Sequence, residues 1–465
     1  MVPSESSLPL PRQQQQDDCY YSVLVKDSNV VTVTTKCSEE KPSMDTLIDG
    51  FYNLSHNNDN GEKQEQARHD YKCAYTCART TCERKNIFQY ELHVKRLIDS
   101  TRAVLVTSFG QEQEQKEQEK TTTEIKELLD QLHDMIKPNC ALAMKTFSTK
   151  FENQLRERDH ELKLTLAVFV VNVNVNVNVN VNANKIATAV TTASIRRSLD
   201  FYCYVGLLPT TASTVTTGSV NNDRIITVLI GGAKRANSTI KDANWVKQRK
   251  ELFRQQMNHI VMNHHVEDGL CSTNLVQEEN QKIEDIILLD NGDKDDDNDN
   301  DNNKDNPTLL EGTETNFFAV DIDGNVLTAD HDVLKGTVRA SVLTCCKMNS
   351  IPVKFQPVKL NTLLLNNDDD DDDDDDKDDD DDQQQQQQQD RRFIQGAFLT
   401  STSRLVLPIH QIIIPSRYCH PITTTCPSEE ETTIMTYNFQ TISPIILRIK
   451  SLVEEDMMRN SVKII

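Results

Sequence analysis

Apolar positions along the chain follow two spacings. Leu92, Leu97 and Ile98 recur at helical intervals within Phe88–Val106, which then runs into the branched stretch Val104-Leu105-Val106. Trp245–His264 is helical in composition. Thr337–Met348 sets Val338, Val342, Leu343 and Cys346 on one face, directly behind Gly336, and predicts a helix that starts at that glycine. Leu199–Leu208 and Arg224–Ile230 are rich in aromatic and branched residues and predict strands. Asn316–Ile322 and Val326–Thr328 flank Asp323-Gly324-Asn325, which predicts a β-hairpin. Phe398-Leu399 enters a turn of hydroxyl residues, Thr400-Ser401-Thr402-Ser403, and the apolar Leu405–Ile409 follows. Helical and extended segments are thus mixed along the chain, as in an α/β protein.

Several stretches break the pattern. Gln111–Thr123 is a Gln/Glu/Lys tract that extends a helix or a loop. Val171–Asn182 alternates Val and Asn strictly, as a strand with one polar face does, or as a low-complexity expansion inside a strand or loop does. Asp290–Asn306 and Asp368–Gln389 cannot bury apolar surface and repel themselves, so both are expected to be disordered loops. The first lacks the glycine at position six and the closing glutamate that a calcium-binding loop needs. Pro209–Asn222, dominated by Thr, Ser, Val and Asn, reads as a connection between domains. The organisation expected is an N-terminal extension over 1–65, partly disordered, and a small α/β domain over 66–208. A linker over 209–223 and a larger domain over 224–450 follow, the latter interrupted by inserts at 290–306 and 368–390.

The net charge of −22 over 465 residues belongs almost wholly to the inserts. The tract 290–306 holds eight Asp and two Lys, and 368–390 holds fifteen Asp and one Lys, which leaves the remainder near −2. A nearly neutral remainder gives no electrostatic ground for nucleic-acid binding. The twelve cysteines show no C-x-x-C pair, so reduced, partly buried thiols are expected and no metal site. Met1–Gln16 is Pro- and Gln-rich with no secretory apolar core, and the longest apolar stretch, Leu166–Val171, is far too short to span a bilayer. A soluble protein of the reducing cytoplasm, without membrane partners, is the expectation.

Three stretches in order bear on chemistry. Glu311-Gly312-Thr313-Glu314-Thr315-Asn316-Phe317-Phe318 resembles the E-x-T-x-x-N-F-F core of class IV aminotransferases. A hairpin ending Val326-Leu327-Thr328 and then Leu334-Lys335-Gly336-Thr337-Val338-Arg339 follow, as in that family. Phe398–Leu405 is similar to the family's second phosphate-binding turn. Upstream, Ala74–Thr80 and His93-Val94-Lys95-Arg96-Leu97 resemble the small domain's first strand and its H-x-x-R-L helix, and Lys241-Asp242-Ala243-Asn244-Trp245 resembles the K-x-x-N stretch. The match covers about 70–105 and 200–415 and looks closest to the plant-type aminotransferase-like and D-amino-acid transaminase branches.

The resemblance implies a fold-type IV architecture, with a small N-terminal α/β domain, a larger C-terminal domain with a β-barrel-like core, pyridoxal 5′-phosphate as cofactor, and a homodimer. It implies Lys241 as the imine-forming residue, with Lys250 the runner-up inside the following helix. Glu311 would accept a hydrogen bond from the pyridinium nitrogen. Arg96, Gly336 with the amides of Thr337 and Val338, and Thr402 with Ser403 would bind the phosphate. Many relatives place an aliphatic residue and then Thr where this chain has Thr337-Val338, so the hydroxyl is displaced by one position. The strand Phe201–Leu208 contains no arginine where the family often carries its substrate-carboxylate Arg, although Tyr202 and Tyr204 are candidates to face the pocket. The implied activity is transamination between an amino acid and a 2-oxo acid. A lyase of the aminodeoxychorismate type, or a silent scaffold whose acidic and Gln tracts bind partners, are the alternatives.

Overall fold

The structure, a computed structural model, describes residues 19–37, 72–81, 83–109, 115–152, 161–175, 194–208, 226–264, 283–291, 307–364, 394–415, 418 and 434–465. The linker 209–223, most of the acidic inserts and the later part of the Val-Asn tract lie outside them. The N-terminal half contains β1 (Cys19–Lys26), β2 (Asn29–Cys37), β3 (Cys73–Arg79), β4 (Asn86–Phe88), α1 (Tyr90–Phe109), α2 (Gln115–Lys150), β5 (Leu162–Val175) and β6 (Ser194–Leu207). Helix α1 continues through the branched stretch Val104–Val106, because Val104 and Leu105 fall on its buried face beside Leu97. The Gln/Glu/Lys tract runs into α2 from Gln115 onward.

One antiparallel sheet, ordered β2-β1-β6-β5-β3, is the framework of this half. Strand alternation gives it two apolar faces. Ala74, Ala78, Leu162, Leu164, Leu166, Phe201 and Val205 meet α1 and α2 through Leu97, Leu105, Leu132, Ile136 and Phe147. Cys73, Tyr75, Cys77, Ala167, Phe169 and Tyr202 lie on the opposite face against Ala243 and Val246. The sheet also takes in residues 19–37, expected to belong to the N-terminal extension. They form a hairpin turning at Asp27-Ser28, both at positive φ, and β1 pairs with β6.

The C-terminal half contains β7 (Ile226–Ala233), α3 (Asn244–His264), β8 (Ile283–Asp290), β9 (Thr308–Gly312), β10 (Asn316–Asp321), β11 (Val326–Leu327), α4 (Thr337–Met348), β12 (Val353–Lys354), β13 (Val358–Lys359), α5 (Asn361–Leu364), β14 (Ile394–Ser401), β15 (Leu405–Pro415), β16 (Ile434–Asn438), α6 (Pro444–Arg459) and β17 (Ser461–Lys463). Strands β10-β14-β15-β7-β8-β9 run in sequence, and β9 pairs back onto β10 through Glu311 and Asn316, so the sheet closes into a barrel. The steps β15–β7 and β7–β8 are parallel and the others antiparallel. Alternate residues fill the interior: Val228, Ile230, Ile287, Leu289, Leu309, Phe317, Ala319, Ala397, Leu399, Leu407 and Ile409. Outward residues Phe318, Val320, Phe398 and Val406 pack under α4 and α6, and the Phe318 and Phe398 rings stack at 4.9 Å. Leu229 and Ile286 are covered by Leu252, Phe253 and Met257 of α3. Mixed α/β structure with an N-terminal α/β region and a larger barrel-containing region is the architecture expected from the sequence.

Strand β17 returns to pair with β4, which ties the end of α6 to the N-terminal half. Among the described residues no helix is long and apolar enough to cross a membrane, and no group of three or more His, Cys, Asp or Glu side chains gathers as metal ligands would. Cys73, Cys77, Cys140, Cys203, Cys345 and Cys346 are buried free thiols.

Candidate active site

The point where β9 and β10 close the barrel also positions the first functional side chains. Glu311 is the penultimate residue of β9 and Asn316 opens β10, the two strands joined by the turn Thr313–Thr315. Asp285 of β8 lies beneath this turn and organises it. Its carboxylate accepts from the Thr313 amide at 3.0 Å, the Thr313 hydroxyl at 2.5 Å, the Thr315 hydroxyl at 2.8 Å and the Glu314 amide at 3.3 Å. Gly312 is required there, since a Cβ would collide with Thr315 Oγ1 and the Asp285 carboxylate. Trp245 holds the turn from the other side by donating its indole N–H to Thr313 O at 2.8 Å.

Glu311 is buried and does not stand alone. Arg235 donates to its Oε1 from Nε at 2.9 Å and from Nη2 at 2.5 Å, while the Leu334 amide donates to Oε2 at 2.9 Å. Burial pushes the Glu311 carboxyl up to about 7 against the pull of Arg235 and the Leu334 amide. Arg235 is itself fixed, donating to Ser238 O at 2.8 Å with its guanidinium 5.1 Å from the centre of the Trp245 ring. Asn316 donates to Leu334 O at 2.6 Å, and its Oδ1 lies 2.3 Å from where a Cβ on residue 336 would be, too close for one. Gly336 is therefore set by close approach, and its φ of −64° requires no glycine.

Gly336 is the N-cap of α4 and supplies no side-chain cap, so the first-turn amides face the site with their hydrogen-bonding capacity open. Opposite lies the β14–β15 turn, with Thr402 Oγ1 3.4 Å from Thr337 Oγ1. Arg79, at the end of β3, donates to Thr402 O at 3.3 Å and pairs with Glu161, which links the N-terminal sheet to this turn. Arg96 of α1 reaches the same cavity. Its Nη2 donates to Thr76 Oγ1 at 2.6 Å and lies 3.2 Å from His93 Nδ1, while its buried Nε has no partner among the described residues. Burial and the neighbouring cations Arg96 and Lys241 push the His93 imidazole well down, so it stays neutral beside the guanidinium. Thr400 Oγ1 is likewise buried without a partner and lines the cavity.

Lys241 is anchored by its backbone to the N-terminal sheet. Its carbonyl accepts from the Tyr75 amide at 3.1 Å, its amide donates to Ser100 Oγ at 3.2 Å, and Asp242 bridges to Ala74. Nζ lies 5.1 Å from the centre of the Tyr75 ring. Burial, aided by Arg96 and Arg249, lowers the amine to about 8, although Cys77 and Glu314 act in the opposite direction.

An inner cavity is lined by Lys241, Glu311, Arg96, Gly336, Thr337, Val338 and Thr402, together with Tyr75, Arg235, Trp245, Asn316 and Thr400. Ser403 lies outside it and lines an adjoining chamber with Cys77, Lys163 and Phe253. Lys241, Arg249, Glu314 and Thr402 border both spaces. Lys250 lines only the outer chamber and is exposed on α3. Tyr202 packs edge-on against Phe169, and neither it nor Tyr204 lines either space. Arg235, Asp285, Arg249 and Arg79 were not singled out from the sequence. Arg79 falls inside the stretch Ala74–Thr80, and Arg235 and Arg249 lie six positions before and eight after Lys241, whereas Asp285 is far from every motif.

No family model matches the sequence, and no curated protein matches it. Among solved structures, a branched-chain amino acid aminotransferase from Thermobaculum terrenum in its PLP form is similar at 11% identity and a TM-score of 0.46, with 97% of this chain and 99% of that one covered. A branched-chain aminotransferase from Thermoproteus uzoniensis, solved with norvaline, is similar at 11% identity and a TM-score of 0.44, with 96% and 100% covered. Likeness of this degree assigns no activity to the chain.

Proposed function

We propose that the chain is a pyridoxal-phosphate-dependent enzyme of the class IV aminotransferase type, acting on an amino acid and a 2-oxo acid, with Lys241 as the residue that holds the cofactor. The support is convergence: Lys241, Glu311, Arg96, Gly336, Thr337, Val338 and Thr402 come from separate stretches of sequence and line one cavity. The donors there suit a phosphorylated pyridine. Uncapped amides at the start of α4, the Arg96 guanidinium and the hydroxyls of Thr337, Thr400 and Thr402 suit the phosphate, and a buried carboxyl suits a ring nitrogen.

When bound, the cofactor supplies an aldehyde for amine chemistry and a ring that withdraws electrons from the substrate Cα. The remaining work falls to the chain. Arg96 and the α4 amides fix the phosphate and so orient the ring. Glu311, with Arg235 and the Leu334 amide behind it, holds a proton at the ring nitrogen. Lys241 Nζ, poised near 8, takes a proton from Cα and returns it. Tyr75 and Trp245 wall the cavity against water.

The test is the visible absorption spectrum of the purified protein after addition of pyridoxal phosphate. A visible band of lysine-bound cofactor is expected, absent in Lys241→Ala; borohydride should bleach it by reducing the C=N bond and leave the cofactor irreversibly attached to the chain. A protein that stays colourless would sink the proposal. A band lost in Lys250→Ala but kept in Lys241→Ala would move the role nine residues onward, into α3. Assays with D- and L-amino acids and with aminodeoxychorismate then separate transamination from elimination of pyruvate.

A further inference from the structure

The boundary between the inner cavity and the outer chamber is made by an ion pair. Arg249 Nη2 lies 3.0 Å from Glu314 Oε1, and both side chains border both spaces. The two partners differ in setting. Arg249 is 15% exposed and fixed on α3, whereas Glu314 is 50% exposed at the tip of the β9–β10 turn. Among the described residues, Glu314 is the only acidic one lining the outer chamber, against Lys163, Lys241, Arg249, Lys250 and Arg254. Arg254 is engaged by Glu251 on the exposed side of α3.

This arrangement suits an exchangeable anion. A largely buried guanidinium at the entrance needs a counter-charge, and a half-exposed, turn-borne carboxylate supplies one that another anion can replace. Burial opposes ionisation of Glu314, but Arg249, Lys163, Arg404 and Lys241 together keep its carboxyl below the usual range. It therefore occupies the place as an anion. Any incoming carboxylate would meet the same guanidinium next to Lys241 and could form the two-pronged contact that arginine offers. Strand Phe201–Leu208 provides no arginine for that purpose.

We infer that Arg249 is the carboxylate-binding residue at the mouth of the site, and that Glu314 is a built-in stand-in displaced when a substrate carboxylate arrives. The inference deepens the cofactor reading, because it assigns recognition of an acid-bearing substrate over a plain amine at the same site. The exchange is purely ionic: Glu314 swings to solvent and the ligand carboxylate takes its position. Lys163 of β5 contributes long-range attraction from the chamber wall.

The test is calorimetric titration of the whole chain, without added cofactor, using succinate as probe and succinamide as its neutral counterpart. Inorganic phosphate is kept in the buffer to saturate the α4 end of the cavity. Succinate is expected to bind at least tenfold more tightly than succinamide. Arg249→Gln should weaken succinate at least tenfold, Arg249→Lys should restore part of the loss, and Glu314→Gln should tighten binding severalfold. Tightening on removal of an acid is an outcome that a merely structural pair would not give. Unchanged affinity in Arg249→Gln, weaker binding in Glu314→Gln, or loss of binding through Arg96→Gln alone would overturn the inference. Because no cofactor is added, a failed spectrum in the cofactor experiment and a failed titration here are separate results.

Discussion

Lys241 is a lysine that the fold holds short of full protonation. Its amine, at about 8, lies below the ordinary 10.5 because burial disfavours the ammonium, with Arg96 and Arg249 adding repulsion. The unfolded chain therefore binds more protons than the folded one between those values, and stability rises with pH across that window. Below about 8 the whole penalty is present, on the order of 3 kcal/mol. Lys241→Met keeps the apolar stem and removes the charge, so it is expected to stabilise the cofactor-free protein at pH 7. The gain should fade as pH approaches 10.5. Urea denaturation of both proteins over pH 6.5–10.5 checks this, and a difference that does not vary with pH would contradict it. A local K-x-x-N stretch is what singles this lysine out in the sequence. The lowered pKa is not legible there, since it comes from side chains 145 and 8 positions away that only folding brings near.

At the level of elements, the site is organised by the closing corner of the barrel. The turn between β9 and β10 is short and polar, and Asp285 satisfies its amides and hydroxyls from the neighbouring strand. Asp285→Ala would leave the Thr313 and Thr315 hydroxyls and at least one amide unpaired in a buried setting. Each such group costs about 1–3 kcal/mol, so a total loss of several kcal/mol is expected in chemical denaturation, with Glu311 and Glu314 both displaced. Asp285→Asn should lose less, because it keeps an acceptor oxygen. The helix at Thr337–Met348, the hairpin at Asn316–Thr328 and the hydroxyl turn after Phe398 were each readable from periodicity and turn residues, as all three are set by near neighbours in sequence. The hairpin at Cys19–Cys37 carried the same kind of alternation, yet its Gln-rich surroundings hid it. Helix α1 runs through the branched stretch because Val104 and Leu105 are buried in the core it shares with α2, and packing overrides the valine's weak preference for strands.

Across the whole molecule, the cavity lies where the N-terminal sheet meets the barrel, and the seam is made of polar contacts between distant residues. Arg79 pairs with Glu161 and reaches Thr402 O, so one guanidinium joins β3 to the β14–β15 turn. Arg79→Ala is expected to cost about 3–5 kcal/mol, the range for breaking a buried pair by removing one partner. It should also weaken pyridoxal phosphate binding by loosening Thr402, and thermal unfolding with and without the cofactor measures both. Equal melting with wild type would count against the seam. The sequence by itself determined the mixed α/β class and the local frames around Glu311, Gly336 and Thr402, because short-range periodicity, turns and motif spacing are properties of neighbouring residues. Tertiary structure alone decided the closure of the barrel, the Arg235–Glu311 and Arg249–Glu314 pairs, and the meeting of Arg96 with Lys241. Those depend on contacts that chain separation gives no means of pairing in advance.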